Sequence, residues 1–146
     1  MFSFHGEAEH SLDDKGRVII PKAYREAVAD GVFLTRGVDG CLWLFTQAKW
    51  GELSAKLQDL GFAQHDLRQF ERLLYSGVEG ALDNQGRLLV PPSLRAHADL
   101  ETGSPVVIVG VKNRIELWNP EKWRGLATVL KEESPRFAEP LAEMGI

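Results

Sequence analysis

The stretch "DDKGRVIIP", residues 13–21, returns seventy positions later as "DNQGRLLVP", residues 83–91. Asp13, Gly16, Arg17 and Pro21 recur as Asp83, Gly86, Arg87 and Pro91. Working outward, Glu9 and Leu12 match Glu79 and Leu82, and Arg25 matches Arg95. The second copy then gains three residues, and at an offset of 73 the match resumes. Gly37 and Val38 align with Gly110 and Val111; Leu44, Lys49, Trp50, Leu53 and Leu57 align with Leu117, Lys122, Trp123, Leu126 and Leu130. Agreement spread over a whole unit with one small gap reads as an internal duplication.

Each copy predicts the order strand, strand, short helix, strand, strand. "AEHSL" and "VEGAL" are short strands. "DDKG" and "DNQG" are turns, because Asp and Asn bond back to the local backbone and Gly tolerates positive φ. "RVIIP" and "RLLVP" return as strands that Pro21 and Pro91 end, since proline cannot donate to a ladder. "KAYREAVA" and "PSLRAHA" are the short helices, with Pro92 suited to a first turn. The second hairpins are "VFLTR" to "CLWLF" across Asp39-Gly40, and "VVIVG" to "IELW" across Lys112-Asn113.

Longer helices follow. "TQAKWGELSAKLQDL" takes Thr46 as N-cap and carries an apolar stripe of Trp50, Leu53, Leu57 and Leu60. "HDLRQFERLLYS" takes Asp66 as cap. "NPEKWRGLATVLKEE" has Asn119 as cap and Pro120 in the first position. The tail after Ser134-Pro135 is ambiguous, and Pro140 breaks any long helix there. Trp43, Trp50, Trp118 and Trp123 fall in apolar patterns and read as packing residues rather than as base-stacking platforms.

A unit of about 45 residues built mostly of short strands buries too little apolar surface to fold alone. Its strand edges would also stay unpaired. Two copies packed together answer both problems, so the second copy completes the first.

Composition sets outer bounds. The 146 residues are 44% hydrophobic and 26% charged, ordinary globular values. The start "MFSFHGEAEH" lacks a basic segment followed by an apolar one, and the apolar run "VVIVGV" is far too short for a bilayer. Cys41 is the single cysteine. These features suit a cytosolic protein with no membrane role. Net charge is −4, which argues against indiscriminate nucleic-acid binding. Local charge differs: residues 11–25 carry a net +2 and residues 81–95 a net +1.

No catalytic, metal or cofactor site is expected. His5, His10, His65 and His97 have no metal-ligand spacing with Cys41 or each other. No Gly-Lys phosphate loop and no G-x-S-x-G elbow occurs.

Two D-x-x-G-R-x-x-x-P elements, each inside a strand-strand-helix-strand-strand unit followed by helices, resemble the MraZ family of bacterial transcriptional regulators. The start "MFSFHGE…SLDDKGRVIIP" and the total length share the resemblance, which covers nearly the whole chain. It implies an α+β fold, a duplicated AbrB-like swapped-hairpin β-barrel with flanking α-helices. The units are then repeat 1 over 5–47, connecting helices over 48–75, repeat 2 over 76–119, and a C-terminal helix and tail over 120–146. The resemblance also implies a sequence-specific DNA-binding regulator, a repressor of the division and cell-wall gene cluster including its own promoter. Its partners would be promoter direct repeats in double-stranded DNA and itself, as a higher homo-oligomer ring. It would sit in the cytoplasm, on the nucleoid, with no small-molecule substrate.

The candidate DNA-binding residues are Lys15, Arg17, Gln85 and Arg87. Asp13, Gly16, Asp83 and Gly86 read as turn formers. Arg17 and Arg87 fit two roles, a structural ion pair with Asp13 and Asp83 or a guanidinium fork offered to a groove; the resemblance favours the second. Lys15 stands at a turn tip where copy two has Gln85, so the halves would contribute unequally. Arg25 and Arg95 read equally well as salt-bridged helix surface. Two other readings compete with the regulator: a structural or protein-interaction ring without DNA binding, and an antitoxin-like protein whose tail, 134–146, holds a partner.

Overall fold

The computed structural model describes residues 3–61 and 63–146. Apolar, β-branched and aromatic runs form the central strands: β3 (Val32–Arg36), β4 (Leu42–Thr46), β7 (Pro105–Val111) and β8 (Arg114–Trp118). With β1 (Glu7–Ser11) and β5 (Val78–Gly80) they make one antiparallel sheet in the order β1-β7-β8-β4-β3-β5. A separate two-stranded ribbon pairs β2 (Arg17–Ile19) with β6 (Arg87–Leu89).

The pairing crosses between copies. β1 of copy one lies on β7 of copy two, β5 of copy two lies on β3 of copy one, and β2 lies on β6. The first two strands of each copy flank a turn but do not pair with each other. The expected closed barrel is absent from the ladders: the six-stranded sheet ends at β1 and β5, and the ribbon is a second sheet.

The ladders also correct the repeat alignment. Phe33 faces Phe45 as Val107 faces Trp118, and Arg36 faces Leu42 as Gly110 faces Ile115. Strand β7 therefore follows β3 at an offset of 74, not 73, while β8 follows β4 at 73. The residue is lost in the turn, so Gly37 and Gly110 are not equivalent.

One sheet face packs against the ribbon. Val32, Leu34, Leu42, Leu44, Val106, Ile108, Ile115 and Leu117 meet Val18, Ile20, Leu88 and Val90 in a single buried cluster. Tyr24 of α1 (Lys22–Arg25) and Leu94 of α4 (Pro92–Ala98) join it. Helix α1 is shorter than expected. After Arg25 the chain continues in turns whose bonds run three residues back, Val28 N to Arg25 O and Gly31 N to Val28 O.

The opposite face is covered in two pieces. α2 (Gln47–Gln58) and α3 (His65–Tyr75) lie over copy one, where Leu57, Leu74, Trp50, Leu53 and Phe70 pack on Phe33 and Phe45. Trp50 stacks on Phe33 with centroids 3.9 Å apart. Over copy two lies α5 (Pro120–Glu133), with Trp123 and Leu126 against Val107, Val109 and Trp118. The four tryptophans are thus packing residues, as their spacing predicts. Leu60 departs from the expected stripe: it lies beyond the end of α2 and is exposed.

Two helix caps form as predicted. Thr46 accepts from Lys49 N, and Asn119 accepts from Glu121 N and Lys122 N. Asp66 does not cap α3; Gln64 holds that position and Asp66 sits inside the first turn, where its charge suits the helix dipole. The tail resolves into a 3₁₀ turn, Ser134–Phe137, and α6 (Ala138–Glu143), with Pro140 in the first turn where its missing N–H costs nothing.

Candidate nucleic-acid interface

Each Asp-x-x-Gly-Arg turn is built around one carboxylate. Asp13 Oδ1 accepts from the amides of Lys15 at 2.9 Å and Arg17 at 2.8 Å, and Oδ2 accepts from Arg17 Nε at 2.7 Å. Asp83 does the same with Gln85 N and Arg87 N, both at 2.9 Å, and with Arg87 Nε at 2.8 Å. The Arg17 amide, ahead of its guanidinium and the Lys15 amide, holds the Asp13 carboxyl below the usual carboxylate range. The Arg87 amide does so for Asp83. Gly16 and Gly86 close the turns at φ +81° and +78°, a conformation only glycine adopts without strain.

The structural ion pair is therefore present at both arginines. It uses Nε, one edge of the fork. Among the described residues the Nη atoms of Arg17 and Arg87 have no hydrogen-bond partner, and both side chains keep 27% of their surface. An arginine anchored at Nε is oriented and still offers its outer nitrogens to an acceptor.

The ribbon brings the two turns together. Arg17 faces Leu89, Val18 faces Leu88, and Ile19 faces Arg87. Alternation along each strand sends Val18 and Leu88 to the core and puts Arg17, Ile19, Arg87 and Leu89 on the outer face. Ile19 is 40% exposed and Leu89 56%. These two aliphatic residues were missed as site residues in the sequence. Period-two parity was the available signal, since each lies two positions after its arginine. Lys15 and Gln85 stand exposed at the turn tips at the two ends of this ribbon. The four sequence-predicted residues thus belong to one surface.

Among the described residues Arg25 and Arg95 form no salt bridge. Arg25 Nε donates to Ile20 O at 2.9 Å, and Arg95 Nη1 donates to Val90 O at 2.7 Å. Each lies over the turn of the other copy: a Cβ on Gly86 would stand 2.5 Å from Arg25 Cζ, and one on Gly16 would overlap Arg95 Nη1. The glycines thus serve twice, for φ and for the close approach of an arginine. Backbone bonds finish the clamp, Ile20 N to Gly86 O and Val90 N to Gly16 O.

The remaining reactive groups are tied into the structure. Cys41 is buried on the outer sheet face, and burial, ahead of the nearby Glu116 charge, pushes its thiol up to about 12, so it is a poor nucleophile. Glu116 accepts from Trp43 Nε1, Trp118 Nε1 and Arg114 Nε, which satisfies its buried carboxylate. Among the described residues no three His, Cys, Asp or Glu side chains are grouped to hold a metal, and no helix is long and apolar enough to cross a membrane.

Comparison with known proteins agrees with the duplication. A family model described as "MraZ protein, putative antitoxin-like" matches twice, over residues 3–73 and 74–144. Several curated proteins are similar over nearly the full chain. One from Roseiflexus castenholzii is 40% identical over 142 residues, covering 97% of this chain and 98% of its own. One from Acetivibrio thermocellus is 41% identical over 144 residues, covering 98% and 99%. One from Deinococcus radiodurans is 42% identical over 132 residues, covering 90% and 92%. All three are named "Transcriptional regulator MraZ"; that name describes regulators and not enzymes.

Proposed function

Because the chain belongs to the MraZ family, we propose that it is a sequence-specific DNA-binding transcriptional regulator whose β2–β6 ribbon is the reading surface. The observation that carries this is the pair of Nε-anchored arginines, Arg17 and Arg87, with outer nitrogens unbonded on one exposed ribbon. The major groove, about 12 Å wide, admits a two-stranded ribbon, and arginine forks pair with guanine O6 and N7 there. Lys15 adds a phosphate contact at one end; Gln85 adds a neutral hydrogen-bonding group at the other. In this reading the cross-paired copies are a swapped-hairpin unit of the AbrB-like kind, with repeats over 5–47 and 76–119. The protein works in the cytoplasm, on the nucleoid, as a repressor of the division and cell-wall cluster and of its own promoter.

The footprint of one chain is small and the net charge is −4, so one subunit holds DNA weakly. A homo-oligomeric ring repeats the footprint, and linked sites raise avidity by about 10²–10⁴. Neighbours in a ring are related by rotation, so they suit direct repeats, whereas a two-fold dimer suits inverted ones. The decisive experiment is binding to the protein's own upstream DNA against scrambled competitor at two salt concentrations, with the number and orientation of sites varied. Strong preference for several direct repeats is expected; equal affinity for one site and for several defeats the multivalent reading. Arg17→Ala is expected to lose roughly 1–3 kcal/mol of specific binding per base contact while its assembly is unchanged. A variant that falls out of its oligomer or melts far earlier assigns Arg17 to the turn alone. The Asp13–Arg17 and Asp83–Arg87 pairs and the acidic net charge favour one second reading, a ring without DNA binding. Absence of any sequence preference in the same assay would select it.

A further inference from the structure

Half of the ribbon's outer face is not charged. Arg17 stands opposite Leu89, and Ile19 stands opposite Arg87. Each arginine thus has an aliphatic neighbour across the ribbon, with Cβ atoms about 5 Å apart. It has another two positions along its own strand, about 7 Å away. Leu89 keeps 56% of its surface and Ile19 40%. The core makes no use of either. On the inner face Val18, Ile20, Leu88 and Val90 are at most 2% exposed and already fill that side. A single exposed aliphatic side chain needs no explanation. Here two, seventy residues apart in the chain, are set diagonally on one face by the exchange of strands, within about 8 Å of each other.

The charge around them selects the partner. Asp13 Oδ2 and Asp83 Oδ2 hold Arg17 Nε and Arg87 Nε, so each guanidinium stays at its own turn, at opposite ends of the ribbon. The segments 11–25 and 81–95 carry net +2 and +1. The outer face therefore offers donors at its ends and apolar surface between them. A duplex major groove presents the complement: guanine O6 and N7 as acceptors, and the thymine C5-methyl as its apolar group. Successive bases lie about 3.4 Å apart along the axis. An aliphatic side chain about 5–7 Å from an arginine therefore reaches a methyl one or two base pairs from the guanine which that arginine takes.

We propose that Ile19 and Leu89 are specificity-determining residues that pack on thymine C5-methyl groups, so that the ribbon reads thymine within two base pairs of guanine. The inference rests on the DNA-reading role proposed above and adds a second kind of readout to it. A cytosine in the same place lacks the methyl and presents an amino donor to side chains that cannot accept. That donor is left unpaired when the groove closes on the ribbon, which discriminates against cytosine.

The probe is the protein's own upstream DNA, made once with thymine and once with deoxyuridine at every thymine. Base pairing is the same and only the methyls are lost. Fluorescence anisotropy at fixed salt compares both duplexes, and a scrambled one, for the intact chain, for the double variant Ile19→Ser, Leu89→Ser, and for Arg17→Ala. The intact chain is expected to bind the uracil duplex about fourfold less tightly for each methyl covered. The double variant is expected to bind both duplexes alike, with its assembly unchanged in light scattering because both positions are exposed. Arg17→Ala is expected to lose affinity for both duplexes and keep their ratio. Equal binding of the two duplexes by the intact chain, with preference over scrambled DNA retained, overturns the methyl contact and leaves the DNA reading standing. That comparison needs no substitution, so a variant that fails to fold does not rescue the proposal. Absence of preference over scrambled DNA overturns both. A thymine preference that survives in the double variant overturns the assignment to Ile19 and Leu89. A double variant that falls out of its assembly, with no difference between the duplexes for the intact chain, makes the pair a contact between copies instead.

Discussion

The two turns and the two helical appendages diverged to different degrees. Asp13 and Asp83 hold their partners at 2.7–2.9 Å and 2.8–2.9 Å, and Arg17 and Arg87 keep the same 27% exposure. The later helix of each copy differs more: α3 buries Leu74, whereas α6 buries nothing. The turn is held by bonds within five residues, so each copy carries all it needs. A helix is held by what it lies on, so a change in its connector is enough to move it. Arg25 and Arg95 stand between these cases. Each is fixed by a carbonyl of its own copy but presses on the other copy's glycine, which ties the two turns to one shared geometry.

The largest expected effect contrasts the helices. Leu74→Ala removes a fully buried side chain and is expected to cost about 2–5 kcal/mol in urea unfolding. Leu141→Ala, measured on dilute chains, is expected to stay within about 0.5 kcal/mol. Equal costs would erase the difference between α3 and α6.

Next come the turn glycines. Gly16→Ala and Gly86→Ala each force a Cβ into the left-handed region, at about 1–2 kcal/mol, and both displace the arginine lying over them. The two variants are expected to match closely; a large inequality would show that the copies are not mechanically equivalent.

A smaller effect tests the carboxylates. Their folded values lie below the usual carboxylate range, so their contribution is complete above that range and is lost as pH falls through the lower folded value. Asp13→Asn with Asp83→Asn is expected to lower stability slightly near neutrality and to flatten the acid limb of the stability curve. An unchanged acid limb would remove these residues from the account.

The smallest effect concerns Lys15 and Gln85, the one chemical difference between the turn tips. Lys15→Gln is expected to lower the slope of log binding constant against log salt by about 0.9 per bound copy, and Gln85→Lys to raise it by as much. Neither is expected to alter thermal stability, because both side chains are exposed at the tips. A slope indifferent to both substitutions would take the tips off the phosphate path.

Period and punctuation made much of the chain legible. The duplication, the two turns, the Asp39-Gly40 hairpin and the caps at Thr46 and Asn119 depend on neighbours in sequence. Asp66 fails as a cap because α3 begins at His65, ahead of the position that Asp66 marks. Ile19 and Leu89 look like core residues unless the period-two parity that puts them on the side of Arg17 and Arg87 is applied.

The chain by itself determined its turns, its strands and the equivalence of its halves, because hydrogen bonds across two to five residues and the left-handed glycines need nothing distant. The tertiary structure alone decided that β1 pairs with β7, β5 with β3 and β2 with β6. That choice follows from burial: Val18 and Leu88 reach one common core only when the copies exchange strands. The same exchange sets Arg17 and Arg87 on a single ribbon, a juxtaposition of residues seventy positions apart that no local pattern encodes.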